Sequence, residues 1–201
     1  MHTIPRFLVV VSLSCASALS LGEVDRSKID ASLESVHPGA KLTSLEVGDL
    51  NADGVADLAY IVERLESDEH EVCIGVLRGT LDGFSPWTHT KWFPMGQRSP
   101  ELSISNQSLF INVFRNGLSW GNWQTDQYSF RNGQLVLIGT EVIYRSPRLE
   151  IEAGPVTLER TSTNYLTGIE IRSRSEGGKR SSESVHHKLE RLRPLEQYGQ
   201  P

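Results

Sequence analysis

The chain has 201 residues, 38% of them hydrophobic and 22% charged, the balance expected of a globular protein with core material for one domain. Its formal net charge of −5 at pH 7 has the wrong sign for a surface that tracks nucleic-acid phosphates. Past the first residues, no apolar run approaches the roughly 20 residues that a membrane-crossing helix requires.

Taken in chain order, the first element is an export signal. Arg6 supplies a positive start and "FLVVVSLSCASALS" an apolar core that soon meets small residues suited to cleavage. Cleavage fits after Ala18 or after Gly22, and Gly22 leaves the longer apolar core. The expected organisation is a signal peptide over 1–22 and one mainly-β domain over 23–201, in a periplasmic or secreted protein. Loss of Arg6 with the signal makes the mature chain more acidic still. A lipid anchor on Cys15 is disfavoured, because Ser12 stands where a lipobox wants a branched aliphatic residue. Only Cys73 then remains, inside the apolar run "VCIGVL", and is read as a small buried hydrophobe.

Ile29, Leu33 and Val36 recur at helical spacing, with Asp25 placed as N-cap and Pro38-Gly39 as a stop. After Ala40 the chain reads as strands, short β-rich runs punctuated by Gly, Asn, Asp and Pro. The surest hairpin is "YSFRNGQLVLIG", with Asn132-Gly133 as a type I′ turn. "LSISNQSLFINVF" should turn near Asn106-Gln107, and "IEIRSRSEGGKRSSESVHHKL" at Gly177-Gly178. The polar faces of this last pair predict a sheet edge. The tail "RLRPLEQYGQP" breaks at Pro194 and is expected to fray. The fold class is therefore mainly β: a small antiparallel, hairpin-built body, propeller-like or sandwich, with one short N-terminal helix.

"GDLNADGVADLAYIV" carries the densest set of oxygen ligands in the chain. Asp49, Asn51, Asp53, the carbonyl of Val55 and Asp57 fall at positions 1, 3, 5, 7 and 9 of an acidic loop, with Gly54 at the sharp turn. Such a set suits a hard cation, and Ca²⁺ better than Mg²⁺, which keeps its waters. Tyr60 stands where an EF-hand has its bidentate Glu, and both flanks look like strands. The ion is thus expected to staple two strands, and a catalytic role lacks a neighbouring base or nucleophile. The alternative is a solvated Asn-Asp-Gly turn with no metal.

Trp120 and Trp123 flank Gly121-Asn122 in "SWGNW", and are either exposed for partner recognition or packed on a sheet face. Trp120, Asn122 and Trp123 are the candidate partner-binding residues. Trp87, Trp92 and Phe93 in "GFSPWTHTKWFPMG" pose the same choice. The histidines, His37, His70, His89 and His186-His187, form no constellation in sequence. With no nucleophile elbow, phosphate cradle or zincin motif, the chain is not expected to be an enzyme.

The loop resembles the D-x-N-x-D-G-x-x-D calcium loops of FG-GAP and VCBS repeats, which lie between strands of propeller blades. "GVLRGTLDGF" is similar to the next part of such a blade. Together with "SWGNWQTDQYSFRNGQLVLIG", the loop resembles a group of exported bacterial proteins that carry a GDLNxDGxxD loop ahead of a run of hairpins. More distantly, the chain is similar to periplasmic lysozyme inhibitors and immunity proteins that guard against peptidoglycan hydrolases. These resemblances imply Ca²⁺ as cofactor and a protein partner, with a cell-wall hydrolase as the specific expectation. The alternative they leave open is an envelope glycan- or protein-binding module that inhibits nothing.

Overall fold

A computed structural model describes residues 26–66, 69–95, 100–116, 121–145 and 157–199. The expected signal over 1–22 with Cys15, the N-cap Asp25 and the candidate Trp120 lie outside the described residues. No helix among the described residues is long and apolar enough to cross a membrane.

Among the described residues, helix α1 (Arg26–Val36) is followed by twelve strands. The first sheet takes β1 (Lys41–Gly48), β2 (Asp57–Glu66), β3 (Glu69–Thr80) and β4 (Gly83–His89) in that order, with β5 (Phe93–Pro94) also on β3. The second is a seven-stranded meander of β6 (Glu101–Ser105), β7 (Ser108–Asn116), β8 (Gly121–Arg131), β9 (Gln134–Arg145), β10 (Thr157–Asn164), β11 (Ile169–Glu176) and β12 (Lys179–His186). All ladders are antiparallel, and the body is sandwich-like, one of the two forms that the sequence allows.

The layering follows from strand periodicity. Ala59, Ile61, Val72, Ile74 and Val76 alternate onto one face of the first sheet and meet Leu109, Ile111, Tyr128, Leu135 and Leu137 of the second. Leu58, Tyr60, Val62, Cys73 and Leu77 take the opposite face and are covered by Ile29 and Leu33 of α1. β2 and β3 are therefore buried on both sides, which is why "DLAYIV" and "VCIGVL" read as continuous apolar runs. The helix is pinned further by Ser32, whose hydroxyl donates to the Phe84 carbonyl at 3.0 Å.

The hairpin turns behave as their residues require. Asn132-Gly133, Asn106-Gln107 and Gly177-Gly178 all have positive φ at both positions, the signature of type I′. β12 is the sheet edge, exposed along nearly its whole length, as its polar sequence predicts.

The tail departs from expectation. Leu195, in a 3-10 turn (Leu195–Gln197), is fully buried in the core between the sheets. Leu137 donates its N–H to the Arg193 carbonyl at 2.8 Å, and Tyr198 packs edge-on against Phe93 and Tyr128. Pro194 ends one path only to direct Leu195 inward, so one apolar anchor outweighs the turn-rich composition around it.

Candidate functional site

The acidic loop joins β1 to β2, whose register runs to Gly48↔Asp57, so the reversal is anchored by a ladder at its base. Ala52 and Gly54 take positive φ of 61° and 82° at its tip. Asp49 accepts from the N–H groups of Asp53 (3.2 Å) and Gly54 (2.9 Å). Asn51 Oδ1 accepts from Asp53 N–H at 3.0 Å, and Asp53 accepts from Val55 N–H at 2.9 Å and from the Asn51 amide at 2.8 Å. Each candidate side chain is thus oriented by the loop's own backbone.

Asp57 is different. It is wholly buried, and its two oxygens accept from Leu50 N–H and from Gly79 N–H, both at 2.9 Å. It ties the loop to β3, where Gly79 packs so closely that a Cβ would overlap the Ala56 carbonyl. Burial pushes the Asp57 carboxyl up, the N–H groups of Gly79 and Leu50 pull it down, and the charges of Asp53 and Asp49 raise it again. Asp53, at the surface, is held below the usual carboxylate range, first by its bond from Val55 N–H and also by Arg78, 3.3 Å away.

The all-oxygen donor set fits Ca²⁺ in type, since every bonded carboxylate oxygen keeps a second lone pair except Asp53 Oδ2, which accepts from both Asn51 and Arg78. Arg78 already lends Asp53 a counter-charge. Among the described residues, Asp49, Asp53 and Asp57 do not form a triple with ligand atoms all within 4.8 Å.

Asn122 and Trp123 lie on strand β8, not on a protruding loop. Trp123 pairs across the ladders with Phe114 and Ile143, on the face of the second sheet turned away from the core. Its ring lies 4.8 Å from that of Phe114 and over Gly121, where a Cβ would come within 3.1 Å of the indole. The glycine of "SWGNW" thereby clears the space that the ring fills. Trp123 is 40% exposed and Leu158, farther along the same face, 41%. Asn122 faces the other side, its side-chain oxygen closed off from solvent and without a hydrogen-bond partner among the described residues.

The remaining aromatics pack. Trp87 meets Phe130 edge-on at 5.0 Å, Phe93 meets Tyr198, and Trp92 lies 5.5 Å from His37 with Arg64 4.4 Å above its ring.

Three residues that sequence alone leaves scattered come together on the helix-covered face of the first sheet. His37 follows α1, its N–H bonded to the Leu33 carbonyl at 2.7 Å; Cys73 is mid-β3; His89 ends β4. Their ligand atoms lie within 4.8 Å of one another. Two of the histidines, His37 and His89, therefore do take part in a constellation, and Cys73 is both buried packing and one of its members. Tyr60 Oη stands 3.0 Å from His37 Nε2. The one sequence signal was the alternation that puts Tyr60 and Cys73 on a single face; nothing local marks either histidine.

A cavity of about 280 Å³ lies between the C-terminal segment and β9–β11, with Glu170 and His187 paired at 3.2 Å in its wall. Compared with protein-family models, with curated proteins and with solved structures, the chain matches none of them.

Proposed function

We propose that the protein is an exported, calcium-stabilised binding protein with no catalytic role, acting in the periplasm or outside the cell. The observation that carries this reading is the loop from Asp49 to Asp57, where backbone N–H groups orient Asp49, Asn51 and Asp53 on a tight reversal. Ca²⁺ there would neutralise clustered carboxylates and stiffen the β1–β2 turn, with the Val55 carbonyl and the free lone pairs of Asp57 completing the set.

The partner docks on the outer face of the second sheet, where Trp123, Phe114, Ile143 and Leu158 present an apolar stripe beside the Arg160–Glu141 ion pair. In its specific form the partner is a peptidoglycan hydrolase, and the protein is its inhibitor or immunity protein. Support comes from the resemblance carried by the loop and the "SWGNW" stretch, and from an acidic net charge that would steer the chain towards a basic hydrolase. The part-exposed indole of Trp123, tilted against Phe114, favours a second reading: an envelope glycan-binding module without inhibitory activity.

Two measurements test this. Added Ca²⁺ should raise the melting temperature of the mature chain, and Asp53→Ala should abolish the rise; identical melting in calcium and in chelator would remove the calcium reading. Wild type, but not Trp123→Ala, should bind and inhibit members of a panel of lysozyme-like and envelope hydrolases. Retention on a glycan array without inhibition would select the second reading, and binding to neither would reject both.

A further inference from the structure

We propose that His37, Cys73 and His89 form a binding site for a thiophilic transition-metal ion, Zn²⁺ or Cu⁺, separate from the acidic loop. Cys73 Sγ lies 3.8 Å from His37 Nε2 and 4.0 Å from His89 Nδ1. The main-chain oxygen of Thr90 adds a fourth donor, 3.3 Å from the sulfur and 2.9 Å from His89 Nδ1. Donor atoms around tetrahedral zinc stand about 3.5 Å apart, given Zn–S near 2.3 Å and Zn–N near 2.0 Å. The two sulfur–nitrogen separations need contract by only a few tenths of an ångström, and the widest separation in the cluster, up to 4.8 Å, by about 1 Å.

The backbone is shaped for this. β3 pairs with β4 over Gly75–Thr80 and with β5 at Glu71 and Val72, so the ladder opens opposite Cys73 and Ile74. At the opening, Thr90 N–H donates to the Ile74 carbonyl at 2.8 Å, but the return bond from Ile74 N–H goes to Thr90 Oγ1 at 3.1 Å. A hydroxyl thus replaces the carbonyl that a regular antiparallel pair would use. The carbonyl is released to turn towards the thiol, as irregular ladders commonly do beside functional groups.

Of the ligands, His37 is already in the state that metal binding needs, while Cys73 must lose its proton. Burial, and then the charge of His89, lower the His37 pKa to about 4, so its imidazole is neutral at physiological pH. Burial pushes the Cys73 thiol up, against the Thr90 hydroxyl and the Arg64 charge. On binding, the S–H bond breaks, the S–metal bond forms and the proton leaves to solvent. To bind through Nδ1, His89 keeps a proton on Nε2 alone and releases any Nδ1 proton to solvent, and Tyr60 gives up its bond to His37 Nε2. The exposure of His89 provides the entry path, and two imidazoles with one thiolate select late first-row ions over Ca²⁺ or Mg²⁺.

The test uses the mature chain, stripped by chelator under reducing conditions and dialysed against Zn²⁺ or Cu⁺ in separate arms. One ion per chain is expected, and Co²⁺ should give an intense thiolate-to-metal charge-transfer band. Competition between the arms identifies the preferred ion. His89→Asn, at an exposed position, should keep the metal-free melting temperature and lose more than about 10-fold in affinity; Cys73→Ser should lose the band outright. Asp53→Asn should bind the ion as wild type does, which separates this site from the calcium loop. Substoichiometric retention by wild type, or full retention by folded His89→Asn and Cys73→Ser, would show the cluster to be hydrogen-bonded packing and overturn the proposal.

Discussion

Tyr60 lies directly over Gly75, its partner across the β2–β3 ladder, and a Cβ on residue 75 would coincide with the phenol ring. The glycine weakens β3 locally, but it lets the tyrosine lie down and carry its hydroxyl to His37. Gly75→Ala should therefore destabilise by about 1–3 kcal/mol, the usual range for overpacking a filled core. Tyr60→Phe, which keeps the ring, should lose about 1 kcal/mol through the His37 hydrogen bond alone. Urea unfolding of the two variants separates ring placement from hydroxyl bonding.

Asp57 and Asp53 belong to one loop but should respond differently to substitution. Asp57→Asn leaves one of the N–H donors of Leu50 and Gly79 facing an amide N–H, and should cost about 2 kcal/mol with or without calcium. Asp53→Asn should leave metal-free stability nearly unchanged and remove the calcium-dependent part. Melting curves in calcium and in chelator give all four values.

Asp126 is buried in the second sheet, accepting from Thr140 Oγ1 at 2.6 Å and Gln124 Nε2 at 2.7 Å. Burial raises its pKa in the folded state, against those two bonds and the Arg193 charge. An unfolded aspartate titrates near pH 3.9, so the folded state binds this proton more tightly. The contribution is fully present below about pH 4 and is lost as pH rises through the folded value. The stability of wild type relative to Asp126→Asn should fall as pH rises above about 4. A flat difference across that range would show that Asp126 titrates as it does in the unfolded chain.

Leu195 joins the tail to the core, and Leu195→Ala should cost about 2–5 kcal/mol, the range for truncating a fully buried leucine. Leu189, exposed a few residues earlier, should tolerate the same change within about 0.5 kcal/mol.

Much of this architecture was legible because the signals were local. Asn132-Gly133 and Gly177-Gly178 demand positive φ, Ile29 and Leu33 recur at helical spacing, and the Lys, Arg and Ser run of β12 could only lie at an edge. The grouping of the acidic loop was legible for the same reason, since its oxygen-bearing side chains fall within nine residues. The His37–Cys73–His89 cluster was not, because its members come from a helix end, a strand centre and a strand end, joined only by tertiary packing. Thr90 was equally silent: its carbonyl turns to the thiol only because the ladder opens there. The tail was misjudged from composition, since one buried leucine decides where it goes. "SWGNW" offered both a face and a loop, and the pairing of Trp123 with Phe114 and Ile143 selects the face.

The order of the strands also bears on how the chain reaches this state. Every ladder joins neighbours in sequence, apart from the short pairing of β5 on β3, and several hairpins close through two-residue turns. Such hairpins carry little loop-closure entropy, so each sheet can zip from its turns outward on a microsecond scale. The distant closures are of another kind: Gly48 of β1 against Ile104 of β6, and the tail through the Val136↔Pro194 bridge. We expect sheet docking to be the slow event, with the segment around Leu195 sealing the seam after it. Contacts formed that late are absent from the folding transition state, so weakening Leu195 should quicken unfolding and leave the folding rate almost untouched. The last residues of the chain would act as its kinetic latch.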